Sequence, residues 1–140
     1  MASMSDESLL QEFVAESREH LSSIEPDLLI LEQEGAGAGQ EIVNRIFRAI
    51  HSIKGAAGFF GFEALKRLSH IMESVLMLVR DGKLAPSPEV VEPLLQGVDK
   101  LNAMIDDIYE SDSVPCSEEI ERLEAILNNQ GAPTPQRPLS

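Results

Sequence analysis

Apolar residues recur along this chain at spacings of three and four, the period of an α-helix, over five separate stretches. In the first, about residues 6–34, Phe13, Ser17, Leu21, Ile24, Leu28 and Leu31 fall on one stripe. Ser5 or Asp6 is placed to cap it, and Glu7 puts an acid in its first turn. Pro26 lies within the stripe, but the register continues past it. The pattern therefore predicts one helix with a kink near Ser22 to Glu25 rather than two helices. Gly35-Ala36-Gly37-Ala38-Gly39 predicts a plain flexible connection. A second helix is expected over about 40–60, stopped by Gly61, with Phe62 packing back on its last turn. The third covers about 63–81 and ends at Asp81-Gly82. The fourth opens on Ser87-Pro88-Glu89, which places a cap, a first-turn proline and an acid in order. It runs on through Val91, Leu94, Leu95, Val98, Leu101, Ile105 and Ile108. A short fifth begins at Ser117-Glu118-Glu119 and carries Ile120, Leu123, Ile126 and Leu127. No stretch alternates with period two, and no internal repeat is visible. Short links between helices two, three and four make those neighbours antiparallel. The expected fold is all-α: an antiparallel up-down four-helix bundle with an additional short C-terminal helix.

At 140 residues the chain has the length of one domain. Residues 1–4 read as a start codon with a short added scar, 5–130 as the bundle, and 131–140, rich in Pro and Gly, as a flexible linker. Aromatic residues make up only 4%, so the core is expected to be aliphatic, with Met72, Met77 and Met104 as filler. Asp plus Glu number 24 against 11 for Lys plus Arg, a net charge of −13. That balance speaks against nucleic acid and against anionic membrane surfaces, both of which need clustered cations. No apolar run approaches membrane-spanning length and no signal peptide opens the chain, so no membrane insertion is expected. Cys116 is the single cysteine, which excludes an internal disulfide and points to the reducing cytoplasm.

The stretch that does not fit a plain bundle is HSIKGAAGFFGF, residues 51–62. Gly55 and Gly58 fall inside a helix, where each costs about 1 kcal/mol relative to Ala. With His51 at zero on a helical wheel, Gly58, Gly55, Lys54 and Arg48 lie within about 60° of it. Ile42, Ile46, Ala49, Ile53 and Phe60 cluster on the opposite side. His51 thus centres a polar face floored by glycine, with nothing bulky beside it toward the C-terminus. The third helix carries a matching polar strip of Lys66, Ser69, His70 and Glu73. Antiparallel packing lets the two strips meet. A carboxylate then accepts from one ring nitrogen of His51, fixes the tautomer and leaves the other nitrogen nucleophilic.

IFRAIHSIKGAAGFFGF followed by SHIMESVL resembles the histidine-containing phosphotransfer family, in particular the N-terminal phosphotransfer domain of CheA-type chemotaxis histidine kinases. The likeness covers about residues 6–110 and rests on H-x-x-K-G-x-x-G-x-x-G-F with H-x-x-E about twenty residues further on. It implies that His51 is the phosphoacceptor, through Nε2. Glu73 orients His51 and raises its basicity, Lys54 offsets charge on the phosphoryl oxygens, and His70 tunes the hydrogen-bond network. Gly55, Gly58, Arg48 and Lys66 would face partners. The partners implied are the ATP-binding kinase domain of the same or a sister chain and response-regulator receiver domains. ATP and Mg would act on those partner domains, and this chain would bind no cofactor and would not be an enzyme alone.

Three other readings compete. One is a phosphorelay module of a hybrid kinase. Another is a metal site on His51, His70 and Glu73, although the order His-x-x-Glu is the reverse of that in bundle di-metal proteins. The last is a purely structural interaction bundle in which no residue reacts. A separate reading of Gly55 and Gly58 themselves is a tight helix–helix crossing.

Overall fold

The structure, a computed structural model, describes residues 2–131. It consists of α1 (Ala2–Glu34), α2 (Gln40–Phe60), α3 (Glu63–Arg80), α4 (Pro88–Asp106) and α5 (Ser117–Gly131), with 3-10 turns at Gly35–Ala38 and Ile108–Ser113. Among the described residues there is no strand. The expected linker, apart from Gly131, and Met1 of the expected scar lie outside the described residues. No helix described is long and apolar enough to cross a membrane.

The α1 stripe is buried throughout: Phe13, Ser17, Leu21, Ile24, Leu28 and Leu31 all face inward. α1 begins at Ala2, so Ser5 and Asp6 fall inside the helix rather than at its start. It continues as one helix across Pro26. Proline removes the bond to the Ser22 carbonyl, and both residues lie on the exposed side, where water serves that oxygen. On the next position, buried Asp27 accepts two hydrogen bonds from Arg45, each 2.9 Å, and ties α1 to α2. α4 holds a second internal proline, Pro93, which the helical pattern left unmarked.

Each helix packs on its neighbours in chain order, α1 on α2, α2 on α3 and α3 on α4, and the ring closes with α1 against α4. α5 lies outside that square against α3 and α4, seating Ile120 and Leu123. The interior is aliphatic, as composition requires, with Ile50, Ile53, Leu65, Leu68, Leu94 and Leu101 almost wholly sealed. Four of the five phenylalanines gather at one end: Phe13 of α1 stacks on Phe60 at 5.5 Å and on Phe62 at 6.4 Å, locking α1 to the α2–α3 corner, and Phe59 meets Phe60 edge-on. That corner turns at Gly61, whose φ of 81° suits glycine, while the Phe62 amide bonds back to the Ala57 carbonyl at 2.9 Å.

Four expectations are corrected. α4 ends at Asp106, and Ile108 begins a 3-10 turn instead of extending the helix. The glycine-alanine link forms a 3-10 turn rather than a plain loop. Ser87 starts α4 through its carbonyl, which accepts from Val90 and Val91, and its side chain makes no cap bond. Met77, expected as core filler, is exposed, whereas Met72 and Met104 are buried.

Candidate functional site

α2 and α3 run antiparallel from a two-residue corner, and this fixes which residues face each other across their interface. Gly58 comes opposite Lys66, His51 and Lys54 opposite Glu73, and Phe47 opposite Arg80. The two polar strips read from the sequence therefore meet. They meet at different depths: the His51 side chain is 61% exposed, while the Glu73 carboxylate beneath it is 5% exposed.

Glu73 uses both oxygens. Oε2 accepts from His51 Nδ1, and Oε1 accepts from Lys54 Nζ at 2.7 Å. Burial pushes the Glu73 carboxyl upward, but hydrogen bonds and charge from Lys54 and His51 outweigh it and hold the group below its ordinary range. The carboxylate is thus ionised at neutral pH and can only accept. Nδ1 must then carry the ring proton, and the lone pair lies on Nε2. An exposed imidazole with its tautomer set in this way is a nucleophile.

Lys54, expected beside an incoming phosphoryl group, is half-buried and donates to Glu73. His70, expected to join the hydrogen-bond network, is exposed, and among the described residues its ring makes no hydrogen bond. The network consists of His51, Glu73 and Lys54. Arg48 is exposed on the same face. Among the described residues no group of three or more His, Cys, Asp or Glu side chains is arranged to hold a metal ion, so the metal alternative gains no support.

The space around Gly55 and Gly58 decides against the close-crossing reading. A Cβ built on Gly55 meets nothing within 4 Å, and one on Gly58 meets only the Lys66 stem, at 3.6 Å. Neither glycine serves a close helix crossing. The close approach is instead at Gly97 of α4, where a Cβ would come 2.7 Å from the Met72 sulfur and that side chain would have to shift. Gly55 and Gly58 instead keep the outer surface beside His51 low.

Two residues at the site escaped the sequence reading. Phe47 stacks on His51 with ring centroids 5.9 Å apart and planes within 11°. The Arg80 guanidinium lies over the Phe47 ring, 4.4 Å from its centroid. Phe47 was visible in principle, four residues before His51 on the same helical face. Arg80, on another helix, carried no local signal.

The chain is similar in sequence and fold to known proteins. The Hpt domain family model matches residues 8–111. The chain is 32% identical over 123 residues to the chemotaxis protein CheA of Bacillus subtilis, covering 88% of this chain and 18% of that protein. It is 34% identical to CheA of Rhizobium meliloti (84% of this chain, 16% of that one) and 33% identical to CheA of Salmonella typhimurium (95% and 20%). The chain therefore spans between 16% and 20% of the length of these relatives. The solution structure of the histidine phosphotransfer domain of CheA superimposes with a TM-score of 0.77 at 29% identity, covering 96% of this chain and 98% of that one. The phosphorylated P1 domain of CheA3, in complex with CheY6 from R. sphaeroides, superimposes with a TM-score of 0.75 at 25% identity, covering 87% and 97%. With helix order, fold and a family match across most of its length in agreement, the chain belongs to the Hpt domain family.

Proposed function

We propose that this chain is the histidine phosphotransfer module of a chemotaxis two-component system. His51 takes a phosphoryl group from the ATP-binding kinase domain of a CheA-type chain and passes it to an aspartate of a response-regulator receiver. The observation that carries this reading is the exposed His51 ring with Nδ1 bound to the buried Glu73.

The reaction follows from that pairing. The Nε2 lone pair attacks the γ-phosphorus of ATP held by the kinase domain, an N–P bond forms, and the bond to the ADP oxygen breaks. The ring, still protonated on Nδ1, becomes cationic, and the Glu73 carboxylate is already in contact with it. In the second step a receiver carboxylate attacks the same phosphorus and the N–P bond breaks. His51 then returns to its starting state without a proton transfer. ATP and Mg belong to the partner domains, and the chain itself binds no cofactor. The site would work in the cytoplasm, where kinase and receiver meet.

The surface suits a protein partner. Gly55 leaves the ring approachable, and Phe59, two turns beyond His51, is 74% exposed beside exposed Leu9. A large exposed aromatic on the same helix as a reactive group, two turns away, can anchor a docking protein. The structural neighbour in complex with CheY6 supports a receiver as the partner.

The test is direct. The chain is mixed with a CheA-type kinase core, Mg-ATP and labelled phosphate. An acid-labile, base-stable label is expected, absent in His51→Gln and discharged when a receiver domain is added. Label on another residue, or equal labelling of His51→Gln, would refute the proposal.

A further inference from the structure

Glu73 holds the His51 ring through a single hydrogen bond at Nδ1, which limits rotation about the Cβ–Cγ bond without fixing it. A second contact narrows that range further. In a helix, side chains lean toward the N-terminus, so the ring of residue i lies over residue i−4. For His51 that residue is Phe47, and the two rings stack within 11° at 5.9 Å. Four residues the other way is Gly55, which offers nothing against the ring.

The His51 imidazole is thus supported on the side of Phe47 and open on the side of Gly55. Phe47 is itself held. Its inner part packs on the core, and Arg80 of α3 covers its ring at 4.4 Å. The Arg80 backbone is pinned in turn, its carbonyl accepting from Gln40 Nε2 at 2.9 Å. Phe47 thus contacts both His51 of its own helix and Arg80 of α3.

We infer that Phe47, clamped by Arg80, is a positioning residue: it braces the His51 ring so that Nε2 points to the approach side over Gly55. This rests on the reading of His51 as phosphoacceptor for its effect on rate, but the brace itself is a property of the free chain. Two contacts at different points fix a planar ring, and in-line attack on phosphorus needs Nε2 aimed as well as deprotonated.

The experiment has one arm that needs no kinase. Carbon-13 relaxation of the His51 ring is measured in the full chain and in Phe47→Leu, Phe47→Tyr and Arg80→Gln. Phe47→Leu should keep the helical content, keep the proton on Nδ1 and lower the ring order parameter, and Phe47→Tyr should restore it. Arg80→Gln leaves Phe47 in place and should loosen the ring less, which keeps the test decisive where Phe47→Leu fails to fold. In the kinase arm, Phe47→Leu should lower kcat about five-fold at unchanged KM, with recovery in Phe47→Tyr. Unaltered ring order in both Phe47→Leu and Arg80→Gln would overturn the brace. So would a Phe47→Tyr variant as slow as Phe47→Leu. A wild-type chain that takes no phosphoryl group at all would sink the functional reading and leave the relaxation arm to judge the brace alone.

Discussion

Lys54 Nζ donates to Glu73 Oε1 at 2.7 Å and so occupies the oxygen that His51 does not use. One buried carboxylate therefore couples two residues three apart on the facing helix. Glu73 is satisfied on both oxygens, which is what lets an acid sit 5% exposed between two helices without protonating. Lys54 earns its place here by holding the base-orienting acid as well as by its charge.

Removing Glu73 tests the pair. Glu73→Ala takes away the acceptor that sets the ring tautomer and leaves Lys54 Nζ, half-buried at the surface of the bundle, without its carboxylate. Phosphorylation of His51 should slow about ten- to a hundred-fold while the circular dichroism of the bundle is unchanged. An undiminished rate would remove Glu73 from the mechanism.

The depressed carboxyl makes a pH prediction. A group held below its ordinary value of 4.5 in the folded state contributes stability that is complete above that value. The contribution is lost as the pH falls through the lower, folded-state value. The difference in unfolding free energy between wild type and Glu73→Gln should therefore be level at neutral pH and shrink on the acid side of 4.5. Lys54→Met should raise the Glu73 carboxyl, because burial then opposes a single hydrogen bond. A carbon-detected titration of the Glu73 carboxyl reads this shift directly.

Gly55 separates folding from partner access. A methyl there meets nothing, so Gly55→Ala should stabilise the chain by about 1 kcal/mol through helix propensity. Gly55→Gln should also fold, yet phosphoryl exchange with the partner domain should fall about tenfold because the longer side chain obstructs the approach to Nε2. Thermal melts and phosphotransfer assays on the same two variants check both halves.

Asp112 offers a test away from the site. Its Oδ1 accepts from the Ala64 amide at 2.9 Å and caps α3 from the 3-10 turn after α4, 48 residues on. Asp112→Ala should cost about 1 kcal/mol in urea unfolding, and Asp112→Asn should retain most of that, since its amide oxygen accepts equally well.

The α1 stripe shows what local pattern can carry. Phe13 to Leu31 sit where the three-four spacing puts them, and even Pro26 is absorbed, because its lost bond faces water. His51 and Glu73 were legible as a pair because each stands out on a helix whose other face is aliphatic. Met77 was misread because hydrophobicity alone does not say which side of α3 the core occupies at its last turns. Asp112 was invisible, since an acceptor supplied from 48 residues away leaves no mark near Ala64.

The order of five helices, their apolar faces and the polar strip around His51 follow from the sequence by itself, because a 3.6-residue turn converts spacing into direction. Which side chains touch across the α2–α3 interface was decided only by the tertiary structure. The antiparallel register set at Gly61 places Glu73 beneath both His51 and Lys54, leaves the His70 ring in solvent and brings Arg80 over Phe47. Depth and register belong to a pair of helices, and neither is written in the period of one.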